Sequence, residues 1–305
     1  MNILITGATG FVGKTLVKRL IKEKPDAALY LLVRSVDSAI SLFDSDNIHL
    51  IEWKSIYDSF DLDVKELDCV INLMGAGIAD KRWTNERKKE LYNSRVDGTK
   101  NLIKILYEKK IKIKNVIQMS AIGIYEQSSS PINENAKLSH DFLGKLCQDW
   151  EQAITSQKEM IPNYCILRAG IIIGKNGGAI QKMLPVFSLG LGGKLASGNQ
   201  YMSWIHLDDL ISLILKNLEH SAGAKIYNAT SPYTVKNSDF TKVMGDLLRK
   251  PTFFSVPKFA LKIAAGEVAE TILSNHNILP QKLKDEKFIF RYPTLENALK
   301  EVVSK

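Results

Sequence analysis

Long apolar runs are missing from this chain of 305 residues. None approaches the roughly 18–20 residues that a helix needs to cross a bilayer, so no membrane partner is expected. Cysteine is scarce. Cys69, Cys147 and Cys165 are an odd set without metal-ligand spacing, which argues against a disulfide scaffold and against a cysteine metal site. No metal is expected, and reduced thiols in a cytoplasmic protein are the simple reading. Basic runs interleaved with aromatics are also absent. Lysine and arginine number 41 against 33 acidic residues, a net charge of +8. Yet Lys109, Lys110, Lys112 and Lys114 read as a solvated face, and no nucleic-acid partner is expected. There is no internal repeat and no low-complexity segment, and no leader is expected before the first apolar run at residue 2. What is present is an ordinary soluble composition, 45% hydrophobic and 24% charged. The length fits one large or two modest domains, either able to bury a proper core.

The most informative stretch is the first, MNILITGATGFVGKTLVKRL. An apolar run, Ile3-Leu4-Ile5, ends at Thr6, and Gly7, Gly10 and Gly13 follow at a spacing of three. Val12, Leu16, Val17, Leu20 and Ile21 then form one apolar stripe of a helix. Strand, glycine turn and helix in this order make a dinucleotide-binding hypothesis. Gly7 can take the angles of a tight turn, Gly10 lets the backbone approach a pyrophosphate, and Gly13 lets helix and strand pack closely. The helix start offers free N–H groups and partial positive charge to phosphates. The cofactor loop predicted here is Gly7, Thr9, Gly10, Phe11, Val12 and Gly13.

Strand-like runs recur at 29–33, 48–53, 68–73, 116–120 and 164–169, the first of them the wholly apolar LYLLV. Such runs suit strands buried on both faces of a parallel sheet. Helical stripes at 78–95 and 140–158 fall between the later ones. The pattern predicts an α/β, doubly wound parallel sheet over residues 1–174. Beyond Gly174 the pattern is mainly helical, with stripes at 179–189, 208–218, 238–248 and 259–273 and short strands at 225–229 and 288–290. Residues 175–305 therefore read as a smaller, mainly helical substrate-side lobe, from which later segments can return to the sheet.

The second strand ends in Arg34-Ser35, with no Asp or Glu there. An acidic residue at this place bonds a ribose 2′-OH, whereas arginine meets a 2′-phosphate. The residues favour NADP(H) over NAD(H); the other reading is that Arg34 stacks on the adenine or is simply solvated. Ser120 closes the fifth strand, where open α/β sheets place ligands. Arg168 and Arg95 can each hold an anion or form a structural ion pair. Lys81, Arg82 and Trp83 either touch ligand or anchor their loop. Trp204 and the glycines at 190–193 can form a pocket wall or lid.

Several phrases carry a family resemblance. TGATGFVG resembles the TGxxGxxG fingerprint of the extended and atypical short-chain dehydrogenase/reductase (SDR) superfamily. NLMGAGIADKRWT (72–84), SRVDGT (94–99), SAIGIY (120–125), DFLGKLCQDWE (141–151), LRAGIIIG (167–174), SWIHLDDL (203–210) and FRYPTLENAL (290–299) are similar to its SulA-type "epimerase family protein" branch, which is NAD-dependent epimerase/dehydratase-like and has a distinctive C-terminal segment. The resemblance implies a Rossmann domain with Leu73, Met74, Gly75 and Ala76 laid along the cofactor, and Ser120 and Arg168 beside it. By superfamily analogy it implies a small-molecule substrate of sugar-nucleotide type. It also implies a monomer or a homodimer formed through helices at 84–107 and 140–158.

The resemblance also exposes a gap. SDR catalysis uses a serine, a tyrosine, a lysine four residues after the tyrosine, and an asparagine. Ser120 matches the serine. The aligned positions of the other three are Phe142, Leu146 and Arg95. Lys145 is one place early and on a helix points about 100° away. Tyr125 is the replacement proton donor suggested by the family's VYG-like phrase; alternatively its ring is packed with its hydroxyl at the rim. His206 has the chemistry for acid–base work, or it serves the start of the helix at 208. An SDR-type enzyme with an altered site and an NADP(H)-binding protein without turnover both fit these residues. The resemblance suggests that Phe142→Tyr with Leu146→Lys would restore weak reductase activity.

Overall fold

The structure is a computed structural model that describes residues 1–219 and 223–304. Seven strands form one parallel sheet: β1 (Asn2–Thr6), β2 (Ala28–Val33), β3 (Ile48–Glu52), β4 (Cys69–Asn72), β5 (Val116–Ala121), β6 (Tyr164–Ala169) and β7 (Ala224–Ala229), in the order β3-β2-β1-β4-β5-β6-β7. Every neighbouring pair in it is parallel. Parallel neighbours need crossovers, and the crossover helices cover both faces. Alternate residues of β1 therefore enter different cores. Ile3 and Ile5 pack with Leu16, Val17 and Leu20 of helix α1 (Phe11–Glu23) and with Leu210, Ile211 and Ile214 of the Leu207–Leu218 helix. Leu4 packs on the opposite face with Leu102, Ile103 and Leu106 of the Gly98–Glu108 helix.

The order of strands reverses direction at β1, where β2 and β4 flank it on either side. Ligands bind outside the carboxyl ends of the strands at such a switch point. The glycine turn after β1 is built there. Gly7 has φ +68°, and a Cβ on it would lie 2.8 Å from the Leu73 carbonyl oxygen. Gly13 is held tighter still: its Cβ would lie 2.2 Å from the Gly7 carbonyl oxygen. The first helical turn thus sits directly on the turn that precedes it.

The chain after Gly174 builds a second core around Ile180, Trp204, Phe240, Met244 and Leu299, and Ile173 packs into it. It does not stay apart from the first, because the Leu207–Leu218 helix and β7 return to the sheet. Three expected elements differ. Residues 288–290 form no strand; Phe288 and Phe290 stack edge-on instead, with ring centroids 4.9 Å apart. The stripe at 259–273 is broken at Gly266, φ +61°, into the Lys258–Ala265 and Val268–Ile272 helices. The helix expected from 78 starts only at Asn85, where the Thr84 hydroxyl accepts the Arg87 N–H at 3.2 Å. The lysines at 109 and 114 pair with Asp61, Glu66 and Asp68.

The close approach of α1 predicts a simple effect. Gly13→Ala is expected to lower unfolding free energy by about 1–3 kcal/mol, as overpacking does. Urea denaturation measures it, and an unchanged midpoint would contradict the packing described.

Candidate functional site

The cleft begins at the start of α1. Gly10 caps the helix with extended backbone and no side-chain hydrogen bond, so the first N–H groups keep no intrahelical partner. Thr9 and Gly10 are exposed, and Phe11 and Val12 are partly so. The Phe11 ring turns toward the other lobe, where a Cβ on Gly177 would sit 2.1 Å from it. Its backbone remains at the helix start. This is a site shaped for phosphate by N–H groups and helix dipole.

At the end of β2, Arg34 is exposed and forms no ion pair among the described residues. Ser35 is otherwise occupied: its hydroxyl accepts the Ser38 N–H at 3.3 Å and caps a short helix, Val36–Ile40. The turn after β4 lies on the Gly7 turn through the Leu73 carbonyl. Met74 packs toward Gly98, and the Ala76 N–H donates to Ser94 Oγ at 3.1 Å. Gly75 faces the Arg95 guanidinium, and the Gly77 carbonyl accepts from Arg87. Beneath this turn Asn72 accepts from Thr6 Oγ1 at 2.6 Å and donates to Thr99 and Gln118, each at 2.8 Å; all four are buried.

Ser120, Tyr125 and Arg168 do come together, as parts of one buried network. Arg168 makes a two-pronged pair with Glu151, Nε to Oε1 and Nη2 to Oε2, both at 2.8 Å. Ser120 Oγ donates to Glu151 Oε1 at 2.7 Å. Arg168 Nη1 donates to the Tyr125 hydroxyl at 2.7 Å, which donates in turn to Asn228 Oδ1 at 2.7 Å. Ser120 is 3% exposed and Tyr125 1%. Burial pushes the Tyr125 phenol up to about 12, although the Arg168 cation works the other way. Burial also opposes the Arg168 charge, but the Glu151 hydrogen bonds outweigh it and the guanidinium pKa rises. Of the two readings open for Arg168, the structure has the ion pair, and its donors face Glu151, Tyr125 and the Glu134 carbonyl rather than the cleft. Tyr125 likewise has its ring packed and its hydroxyl engaged.

The Phe142–Thr155 helix supplies no substitute. Asp141 caps it, accepting the Gly144 N–H at 2.7 Å. Leu143, Cys147 and Glu151 turn toward the end of β5, while Lys145 is exposed. Burial pushes the Cys147 thiol up to about 12. Phe142 meets Trp83 edge-on at 5.3 Å, and Leu146 is 1% exposed in the main core. A lysine at 146 would bury an unpaired charge, so the double exchange suggested by the resemblance is expected to destabilise the core instead of restoring a dyad.

The remaining candidates separate cleanly. His206 lies inside the second lobe. Its Nδ1 accepts the Asp208 N–H at 3.2 Å, its Nε2 faces Glu301 at 3.4 Å, and its ring stacks on Tyr292. Burial lowers its pKa, against Asp208 and Glu301. It caps the start of the Leu207–Leu218 helix. Trp204 is buried in the same core. Trp83 anchors its loop by donating to the Ile78 carbonyl at 2.9 Å. Sequence reading missed Glu151, Asn228 and Asn72. The one available signal was a carboxylate at 151 on an otherwise apolar helix stripe. Among the described residues no group of three or more His, Cys, Asp or Glu side chains is placed to hold a metal, and no helix is long and apolar enough to cross a membrane. The three cysteines are free and buried.

A parallel sheet switching direction at β1, a glycine turn against an uncapped helix start and an open β2 end define a Rossmann-type NAD(P)-binding protein of the SDR kind. The chain belongs to the NAD dependent epimerase/dehydratase family, whose profile matches residues 3–230; a domain of unknown function (DUF1731) matches 256–302. It is 33% identical to the chloroplastic epimerase family protein SDR39U1 homolog of Arabidopsis thaliana, over 99% of this chain and 87% of that one. It is 31% identical to epimerase family protein SSP1921 of Staphylococcus saprophyticus, over 99% of both. Among solved structures, human epimerase family protein SDR39U1 (isoform2) with NADPH superposes with a TM-score of 0.84 at 25% identity, covering 99% of each chain. UDP-glucuronic acid 4-epimerase of Bacillus cereus shares the fold at 17% identity and a TM-score of 0.77.

Two outcomes are expected. Glu151→Gln removes the partner of a buried guanidinium and should cost about 3–5 kcal/mol of stability, read by urea denaturation; a loss under 1 kcal/mol would contradict the network. Second, burial lowers the pKa of both His206 and His276. Between their folded values and the unfolded value near 6.5, the unfolded chain binds more protons. Stability is therefore full above pH 6.5 and falls as pH drops below it. Denaturation midpoints at pH 7.5 and 5.5 measure this, and His276→Gln should shrink the difference.

Proposed function

We propose that this protein binds NADP(H) in preference to NAD(H) and acts as an oxidoreductase or epimerase on a small polar substrate of sugar-nucleotide type. The observation that carries the cofactor choice is Arg34: exposed, unpaired among the described residues, and placed after β2 where no carboxylate stands. NADP(H), when bound, supplies or accepts a hydride at its nicotinamide ring. The chain's part is to hold it. The free N–H groups at Phe11–Gly13 meet the pyrophosphate, Arg34 the 2′-phosphate, and the Leu73–Ala76 backbone the length of the cofactor. Residues 1–174 carry this cofactor work, and 175–305 carry the substrate side. Support for NADPH also comes from the human relative, whose structure was solved with it. The buried, reduced thiols suit a cytoplasmic compartment.

Proton transfer is where the site departs from a standard SDR. Ser120 and Tyr125 are held by Glu151, Arg168 and Asn228, so we assign them to shaping the β5 end. Solvent then provides the proton that accompanies the hydride. That same sequestration favours a second reading, a protein that binds NADP(H) for structural or regulatory ends without turnover. Oxidation of bound NADPH across a panel of carbonyl compounds and sugar nucleotides separates the two.

The test of the cofactor assignment is a fluorescence titration with NADPH and NADH. Arg34→Ala is expected to weaken NADPH binding tenfold or more, about 1.4 kcal/mol, the scale of a charge-assisted hydrogen bond. NADH binding should be unchanged. Equal weakening of both would remove Arg34 from the 2′-phosphate, and no binding of either would end the cofactor reading.

A further inference from the structure

Four arginines among the described residues have most of their side chain inside the protein, and three have counter-ions. Arg168 has Glu151, Arg87 has Glu90 at 2.6 Å, and Arg19 has Glu23. Arg95 has none among the described residues. It sits in a π-helical turn, Asn93–Asp97, between the Asn85–Tyr92 and Gly98–Glu108 helices. Such turns interrupt a helix at some cost and cluster at functional sites. Among the described residues its side chain makes one hydrogen bond, from Nη1 to the Leu91 carbonyl, at 3.3 Å. The guanidinium lies over the Trp150 ring, 5.2 Å from the centroid, and covers Gly75. A Cβ at Gly75 would be 2.9 Å from Cζ, 3.0 Å from Nη2 and 3.1 Å from Nε. Burial draws its pKa down to about 10, and the neighbouring Arg87 adds to this.

The arrangement is pre-set for a ligand. A guanidinium is flat and offers donors in a fork that matches two oxygens at once. Here Trp150 fixes the plane, and Trp150 is itself fixed by donating to Thr99 Oγ1 at 3.1 Å. Nε and Nη2 make no hydrogen bond within the described protein, and neither is sealed from solvent. Keeping an unmatched charge in a partly desolvated place is unfavourable unless something of opposite charge arrives. The place in question borders the Gly75 turn.

We propose that Arg95 is the anion anchor of the substrate pocket, binding a carboxylate or phosphate oxyanion of the substrate through Nε and Nη2 beside the Gly75 turn. The inference rests on the reading that this turn borders bound NADP(H). It narrows the substrate to molecules carrying a negative group close to the reacting end. It also gives the π-helical turn a purpose, since it aims position 95 at Gly75.

The test uses the NADPH-loaded full chain, ¹⁵N-labelled, with arginine Nε–Hε resonances followed by NMR. The probes are benzoate, its neutral isostere benzamide, and inorganic phosphate. Arg95→Lys identifies the Arg95 signal by its loss. In the wild type this signal is expected to shift saturably with benzoate or phosphate and not with benzamide; which of the two anions acts assigns carboxylate or phosphate. Affinity for that anion should fall tenfold or more in Arg95→Met and less in Arg95→Lys, with NADPH affinity within twofold of wild type in both. Absence of a shift with either anion, or anion affinity indifferent to Arg95→Met, would overturn the inference. So would a tenfold loss of NADPH binding in Arg95→Met, which would make Arg95 a ligand of the cofactor. Nucleotide affinity is measured separately, so a wild type that binds no NADPH defeats the cofactor reading alone. The anion titrations are repeated without nucleotide and decide Arg95 on their own.

Discussion

The buried pair between Glu151 and Arg168 holds the ligand end of this sheet together. Arg168 stands on β6, Glu151 on the helix between β5 and β6, Ser120 on β5, and Asn228, reached through Tyr125, on β7. Four elements far apart in sequence are thereby tied by charge-assisted bonds in a place that excludes water. Such a pair adds little net stability over apolar packing, but leaving either half alone is costly. Its effect is to fix geometry. The same network engages both candidate hydroxyls, Ser120 donating to Glu151 and Tyr125 to Asn228.

The site therefore divides into two ends of different character. At the cofactor end the chain leaves its donors free: the first N–H groups of α1, and the Arg34 guanidinium. At the chemical end it uses them up. Burial raises the Tyr125 phenol and the Cys147 thiol to about 12, and the helix that carries Phe142 at the position matching the SDR tyrosine turns Leu143 toward the end of β5. One group near the Gly75 turn keeps unspent donors, Arg95.

Much of this was legible in the sequence, for reasons particular to each part. The glycine turn and α1 are local, so spacing alone gave them. The sheet strands showed because a strand buried on both faces has to be apolar throughout, as in LYLLV. The exposed Arg34 was readable because it needs only a place after one strand. Glu151, Asn72 and Asn228 were not, since their partners lie from 17 to 103 residues away and a lone polar residue has no period. The stretch at 78–84 looked helical, yet Thr84 caps the helix later and Trp83 ties the loop to Ile78. Phe288 and Phe290 looked like a strand because an apolar triplet does not reveal whether it pairs or packs.

A crystal structure of the protein with NADPH tests the account most directly. The account predicts the pyrophosphate at the start of α1, the 2′-phosphate within hydrogen-bond reach of Arg34, and the nicotinamide end beside Gly75. It predicts the Ser120–Glu151–Arg168–Tyr125 network unbroken, with no phenol or ammonium group against the ring. A Tyr125 hydroxyl released from Asn228 and turned onto the nicotinamide would contradict it, and so would a nucleotide bound away from the Gly7–Gly13 turn.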